Sequence, residues 1–176
     1  GMAALARALA CGALPSLTEL GLSDNQIGVA GIRALCDALH AEEAPVLQEL
    51  KELDLSENCL GNPGLTALSE ALSSSAPPRQ PPLSALEDLD LSHNRFGRGA
   101  AALIAAMVTN GLPSCRSLSA YDFPNEASDA TDAMQKACDL RRVKLRHTHV
   151  DEPEYENLCQ CLLCQPMDSL FERRMR

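Results

Sequence analysis

The sequence predicts an α/β solenoid, a stack of repeated strand–helix units. Three segments superimpose on one pattern, L-x-x-L-x-L-x-x-N-x-L. Each is followed by a helical stretch of the same kind. Aromatic residues make up only 3% of the chain and Trp is absent, so Leu and Ala must supply the core, as small regular layers allow.

The first segment is Leu17-Thr-Glu-Leu20-Gly-Leu22-Ser-Asp-Asn25-Gln-Ile27-Gly28. The second runs Leu50-Lys-Glu-Leu53-Asp-Leu55-Ser-Glu-Asn58-Cys-Leu60-Gly61, and the third Leu86-Glu-Asp-Leu89-Asp-Leu91-Ser-His-Asn94-Arg-Phe96-Gly97. Leucines two apart, such as Leu53 and Leu55, point to one side of a short strand. Asn58 sits where the chain leaves the strand, and its amide can satisfy backbone groups that the bend removes from the sheet ladder. The stretches Gly31–Leu39, Gly64–Leu72 and Gly99–Met107 repeat apolar residues every three or four positions, as an amphipathic helix requires. One such unit cannot bury its own apolar side, so neighbours must stack.

These residues resemble the leucine-rich repeats of the ribonuclease-inhibitor type. The resemblance covers about residues 2–163 and is specific for fold. It implies a right-handed solenoid with short parallel strands on the concave face and helices on the convex face. Ribonuclease inhibitors, innate-immune sensors, Ran-type GTPase-activating proteins and ubiquitin-ligase receptors all use such repeats. What it implies about function is therefore a protein–protein interaction module. No catalytic residue of the GTPase activators is matched, and five short units are poor coverage for wrapping an enzyme.

Two weaker units follow. Leu118-Ser-Ala-Tyr121-Asp-Phe123 keeps the apolar spacing with Glu126 in the Asn position, and its helix is expected from Ser128 to Cys138. Leu140-Arg-Arg-Val143-Lys-Leu145-Arg-His-Thr148 reads as a fifth unit, with a helix from Glu154 to about Cys164. Residues 1–165 are thus read as a repeat domain of about four and a half units, and 166–176 as a capping tail with Ser169 and Glu172 at capping-box spacing.

The small-residue N-terminus has the look of a signal peptide, but Leu5 and Leu9 align with Leu35 and Leu39 of a repeat helix. A start halfway through a repeat, on Gly-Met, suggests a domain excised from a larger protein.

Successive strands are 33 and 36 residues apart (Leu20, Leu53, Leu89), longer than the upper end for a compact repeat. The surplus lies between helix and next strand. The second insertion holds Pro78-Arg-Gln-Pro81, read as part of a solvated loop.

The net charge is −9, and all of it falls within residues 1–138. That argues against nucleic acid, which needs a basic face, and allows a protein partner with a basic surface. Strand alternation puts Glu19, Gly21 and Ser23, then Glu52, Asp54 and Ser56, then Asp88, Asp90 and Ser92 on the outer side. Ala120 and Asp122 follow in the fourth strand, and Arg142, Lys144 and Arg146 in the fifth. This face, running from acidic to basic, is the expected partner-binding surface.

Other chemistry is weakly signalled. Cys159, Cys161 and Cys164, with His147 and His149, have a spacing that could hold zinc, but Cys159 also fits an apolar helix stripe with Tyr155, Leu158 and Leu162, and structural thiols are expected. Asp54, Asp88 and Asp90 read as solvated carboxylates, not a cation site. The eight cysteines are expected as reduced thiols of a cytoplasmic or nuclear protein. No nucleophile–base pair or phosphate-cradling glycine loop is present, so no enzyme activity, cofactor, metal or small-molecule substrate is expected. No stretch is long and apolar enough to span a bilayer.

Overall fold

The computed structural model describes residues 1–40, 46–73, 82–97, 100–124 and 128–150, and for residues 122–124, 128, 130 and 147–150 it gives the backbone alone. The expected helix from Glu154, the Cys159–Cys164 cluster, the Pro78–Pro81 motif and the tail from residue 166 lie outside the described residues.

Helices and strands alternate along the chain. They are α1 (Met2–Ala10), β1 (Glu19–Gly21), α2 (Gly28–Leu39), β2 (Glu52–Asp54), α3 (Gly61–Ser73), β3 (Asp88–Asp90), α4 (Ala100–Asn110), β4 (Ser117–Pro124), α5 (Ser128–Arg141) and β5 (Lys144–Val150). The strands form one parallel sheet in sequential order. Each helix packs on the helix next in sequence, α1 on α2 through to α4 on α5. This is an α/β solenoid, with its core between the strand layer and the helix layer.

The repeat letters set the core. Leu50, Leu55, Leu60, Leu65 and Leu68 are wholly buried, as are Leu86, Leu91 and Ile104 one repeat later. Burying each such side chain stabilises by about 1.5–3 kcal/mol. Gly64 lets α3 close on α2, because a Cβ there would lie 3.2 Å from Ile32 and 3.0 Å from Leu60.

The bends are built by asparagine. Asn58 Oδ1 accepts from the Asn25 and Ile27 N–H groups at 3.0 and 3.2 Å. Its Nδ2 donates to the carbonyls of Leu22, Leu55 and Ser56 at 2.8, 3.1 and 2.9 Å. Asn94 repeats the arrangement one unit on. It accepts from Asn58 and Leu60 and donates to Leu55, Leu91 and Ser92. Each of these amides therefore fastens its own bend and the bend before it. The residues flanking each Asn are left-handed, with φ between 51° and 56° at Asp24, Gln26, Glu57, Cys59, His93 and Arg95. Non-glycine residues adopt that conformation at a cost of about 1–2 kcal/mol each, which the amide's bonds offset.

The fourth repeat departs from expectation. Leu118 pairs with Leu89, not with Leu86, so the pattern is shifted by three residues from the one read in the sequence. Cys115 takes the place of Leu86, and Ala120, expected on the outer face, is 1% exposed in the core. Backbone bonds agree. Arg116 and Ser117 N–H meet Glu87 O, as Lys51 and Glu52 N–H meet Thr18 O. Small Cys115 and Ala120 fill positions that leucine holds elsewhere, which hid them behind the larger Tyr121 and Phe123.

That shift puts Phe123 where Asn94 stands in the preceding repeat. Without an amide to satisfy a bend, the strand continues. β4 has 8 residues and β5 has 7, against 3 in each earlier strand. The fifth repeat is also displaced, since Leu145, not Val143, pairs with Leu118. Leu140, expected inward, lies in the last turn of α5 with 76% exposure.

Candidate functional site

Pairing register lines the strand residues into two columns across the sheet. One runs Glu19, Glu52, Asp88, Ser117, Lys144, and the other Gly21, Asp54, Asp90, Ser119, Arg146. Neighbours in a column are about 4.8 Å apart along the hydrogen-bonding direction. The middle residues, Leu20, Leu53, Leu89, Leu118 and Leu145, occupy the alternate positions that face the helices. A concavity of about 490 Å3 opens over the columns, bordered by residues of all five strands from Glu19 to Arg146.

Glu19, Glu52 and Asp88 are exposed at one column, while Asp54 and Asp90 are half-buried in the other. The two aspartates are not interchangeable with the first set. Asp54 Oδ1 accepts from the Ser56 N–H at 2.9 Å and the Ser56 hydroxyl at 2.7 Å. Asp90 Oδ1 accepts from the Ser92 N–H at 2.8 Å. One oxygen of each carboxylate thus holds the start of the bend.

The remaining expected residues divide. Ser56 is committed to Asp54. Ser92 is only 3% exposed, and its hydroxyl accepts from the Tyr121 N–H at 3.1 Å. It is a structural residue, buried because β4 runs on alongside the third bend. Arg142 lies in the turn between α5 and β5, with φ of 58°, off the strand face. Lys144 and Arg146 are exposed on β5. Asp122 is three positions past Ser119, outside both columns, and its side chain lies outside the described part.

Ser117 and Ser119 are the fourth strand's contribution to the concavity, which sequence reading missed. A longer pattern would have found them. Leu47 and Leu83 precede Leu50 and Leu86 by three residues, and Leu112 precedes Cys115 by the same step. Each pair makes the same turn bond, from the second residue's N–H to the first's carbonyl.

Residues 13–36 and 47–69 match the family model described as Leucine Rich repeat. These two stretches are leucine-rich repeats. The matched residues hold β1, the first Asn bend and most of α2, then β2, the second bend and most of α3. No curated protein gives a significant match to the chain. Leucine-rich repeats generally mediate protein–protein contact, and stacked repeats offer an extended concave surface for it.

Among the described residues, three of the five cysteines are buried. Cys36, Cys115 and Cys138 are buried free cysteines, and burial pushes each thiol up to about 11. Such thiols are poor nucleophiles at neutral pH. Cys11 is exposed and Cys59 half-buried. Among the described residues no three His, Cys, Asp or Glu side chains converge to hold a metal ion. Among them, too, no helix is long and apolar enough to cross a membrane.

Proposed function

We propose that the chain is a non-catalytic recognition module that binds a partner protein on its strand face. The partner sets basic side chains over β1–β3 and acidic ones near Lys144 and Arg146. One observation carries this: Glu19, Glu52, Asp54, Asp88, Asp90 and Arg146 border the same concavity, acidic at one end and basic at the other. Complementary charge across such a face gives specificity and fast association more than raw affinity. The buried reduced thiols favour a cytoplasmic or nuclear setting.

The test is a charge reversal that spares the bends. Glu52 and Asp88 are exposed, and the bend hydrogen bonds are made by Asp54 and Asp90 instead. Partners captured by the wild-type chain would be identified by mass spectrometry and titrated against Glu52→Lys/Asp88→Lys. The expected result is at least one partner weakened about tenfold or more, with affinity falling as salt rises. If every partner keeps full affinity for the double variant, the strand face is not the binding surface.

A further inference from the structure

We infer that the acidic part of the strand face is a docking surface for the chain's own segment 166–176, which sets Arg173, Arg174 and Arg176 over Glu52 and Asp88. That segment lies outside the described residues, and its sequence supplies the charges. The consequence, competition with a partner protein, rests on the reading above of this face as the binding surface.

The face itself calls for a counter-charge. Glu19, Glu52 and Asp88 are exposed and stand one per strand in a single column. Asp54 and Asp90 lie half-buried in the next column. Like charges directly opposite each other on neighbouring strands repel. Among the described residues no cation pairs with Glu19, Glu52 or Asp88, and the ion pair of that region, Arg116 with Glu87, falls outside both columns. A cation laid over β2 and β3 therefore relieves repulsion that the strands leave uncompensated.

Charge order selects the occupant. From β5 back to β1 the face presents Lys144 and Arg146 first and its carboxylates afterwards. The chain beyond β5 carries the opposite signs in the same order. Asp151, Glu152, Glu154 and Glu156 come first, and Arg173, Arg174 and Arg176 come last. Its acidic run thus stays beside the basic end of the sheet while its arginines reach the acidic end. The segment 74–81, also outside the described residues, offers Arg79 alone.

Reach permits this. At about 4.8 Å per strand, Asp88 lies about 10 Å and Glu52 about 14 Å across the sheet from Lys144. Even with residues 154–164 taken up by a helix, residues 165–172 extended span up to about 26 Å. Exposed ion pairs are individually weak, so the same peptide added free would bind poorly. Attachment to the chain gives it an effective concentration on the order of 1 mM. A weak contact then suffices to fill the face until a tighter partner displaces it.

The test is zero-length coupling in the full chain carrying Arg174→Lys. A water-soluble carbodiimide activates a carboxylate, and the introduced lysine amine attacks it, forming an amide and releasing the urea. Mass spectrometry of the coupled peptides is expected to join position 174 to Glu52 or Asp88 within one chain, about fivefold or more above the exposed helix carboxylates Asp37 and Glu70. The preference should fall about threefold or more in 1 M salt, where the screening length is about 3 Å. Adding Arg173→Glu and Arg176→Glu should abolish it. Coupling spread evenly over Asp37, Glu52, Glu70 and Asp88 overturns the proposal, as does coupling found only in dimers, which would make the occupant a second copy. The result is separable from the partner titration. Preferred coupling with every partner unaffected by Glu52→Lys/Asp88→Lys sinks the binding-surface reading and upholds the docking, and the reverse pattern sinks the docking alone.

Discussion

Replacing Asn58 by Ala tests the account of the bends most directly. Asn58 is fully buried, and its amide makes five hydrogen bonds to backbone groups of two repeats. The bonds to Ile27 N–H and Leu55 O are buried, and the other three are partly reached by water. Each buried group left unpaired costs about 1–3 kcal/mol. The left-handed Glu57 and Cys59, at φ of 56° and 54°, also lose the contacts that hold them. The expected loss is about 3–5 kcal/mol, about a fifth or more of the stability of an ordinary domain. Asn25→Ala supplies the contrast. That residue is exposed and its side chain makes two bonds, both to its own bend, so the expected loss is below about 1 kcal/mol. Asn58→Asp sharpens the comparison, because a carboxylate would face three carbonyls and should be no better than Ala. Urea unfolding followed by circular dichroism reads all three, and hydrogen exchange at Ile27 locates the damage. Equal, small losses at positions 25 and 58 would refute the idea that one amide fastens two repeats.

Ala120→Asp should destabilise by roughly 3 kcal/mol or more, because position 120 is 1% exposed; tolerance in thermal unfolding would restore the register first read from the sequence. Gly61→Ala should cost about 1–2 kcal/mol through its φ of 56° alone, since the nearest atom to an added Cβ is 3.6 Å away. Arg116→Ala should cost less than about 1 kcal/mol in the same assay, because its 3.1 Å pair with Glu87 is 76% exposed on the arginine side. Cys36, Cys115 and Cys138 have folded values near 11 against an ordinary 9.0, so the folded state holds their protons more tightly. Their contribution is present in full below pH 9 and is lost as pH rises to about 11, which denaturant midpoints across that window would reveal. At neutral pH a thiol reagent should label Cys11 quickly and those three only after unfolding.

The first three repeats were legible because each position of their pattern has a distinct physical task, and no other alignment places all of them. The fourth was not, because two apolar triplets overlap there. Leu118, Tyr121 and Phe123 look like the better match by size, yet the core at that level takes Cys115, Leu118 and Ala120. A three-residue shift also reverses which side chains face outward. It therefore moved the predicted site from Ala120 and Asp122 to Ser117 and Ser119. The acidic columns were readable for the same reason as the core, since inward leucines fix their neighbours outward. Their unequal roles were not. That Asp54 and Asp90 spend one oxygen on Ser56 and Ser92, while Glu52 and Asp88 do not, depends on a bend geometry that strand alternation does not contain. Ser92 was misplaced for a related reason: nothing in its own repeat shows that β4 is long enough to cover it.

Asn94 is the last asparagine of the ladder, and the manner in which repeats hold one another changes there. Upstream, a single side chain closes on two bends together, so a repeat cannot open without exposing its neighbour's main chain. Downstream, β4 and β5 are joined by a long run of backbone pairs that can separate one rung at a time. Heated or pulled, the two ends should come apart in different styles. The block from β1 to β3 should give way as one event, and the far end should unzip gradually from β5 inward.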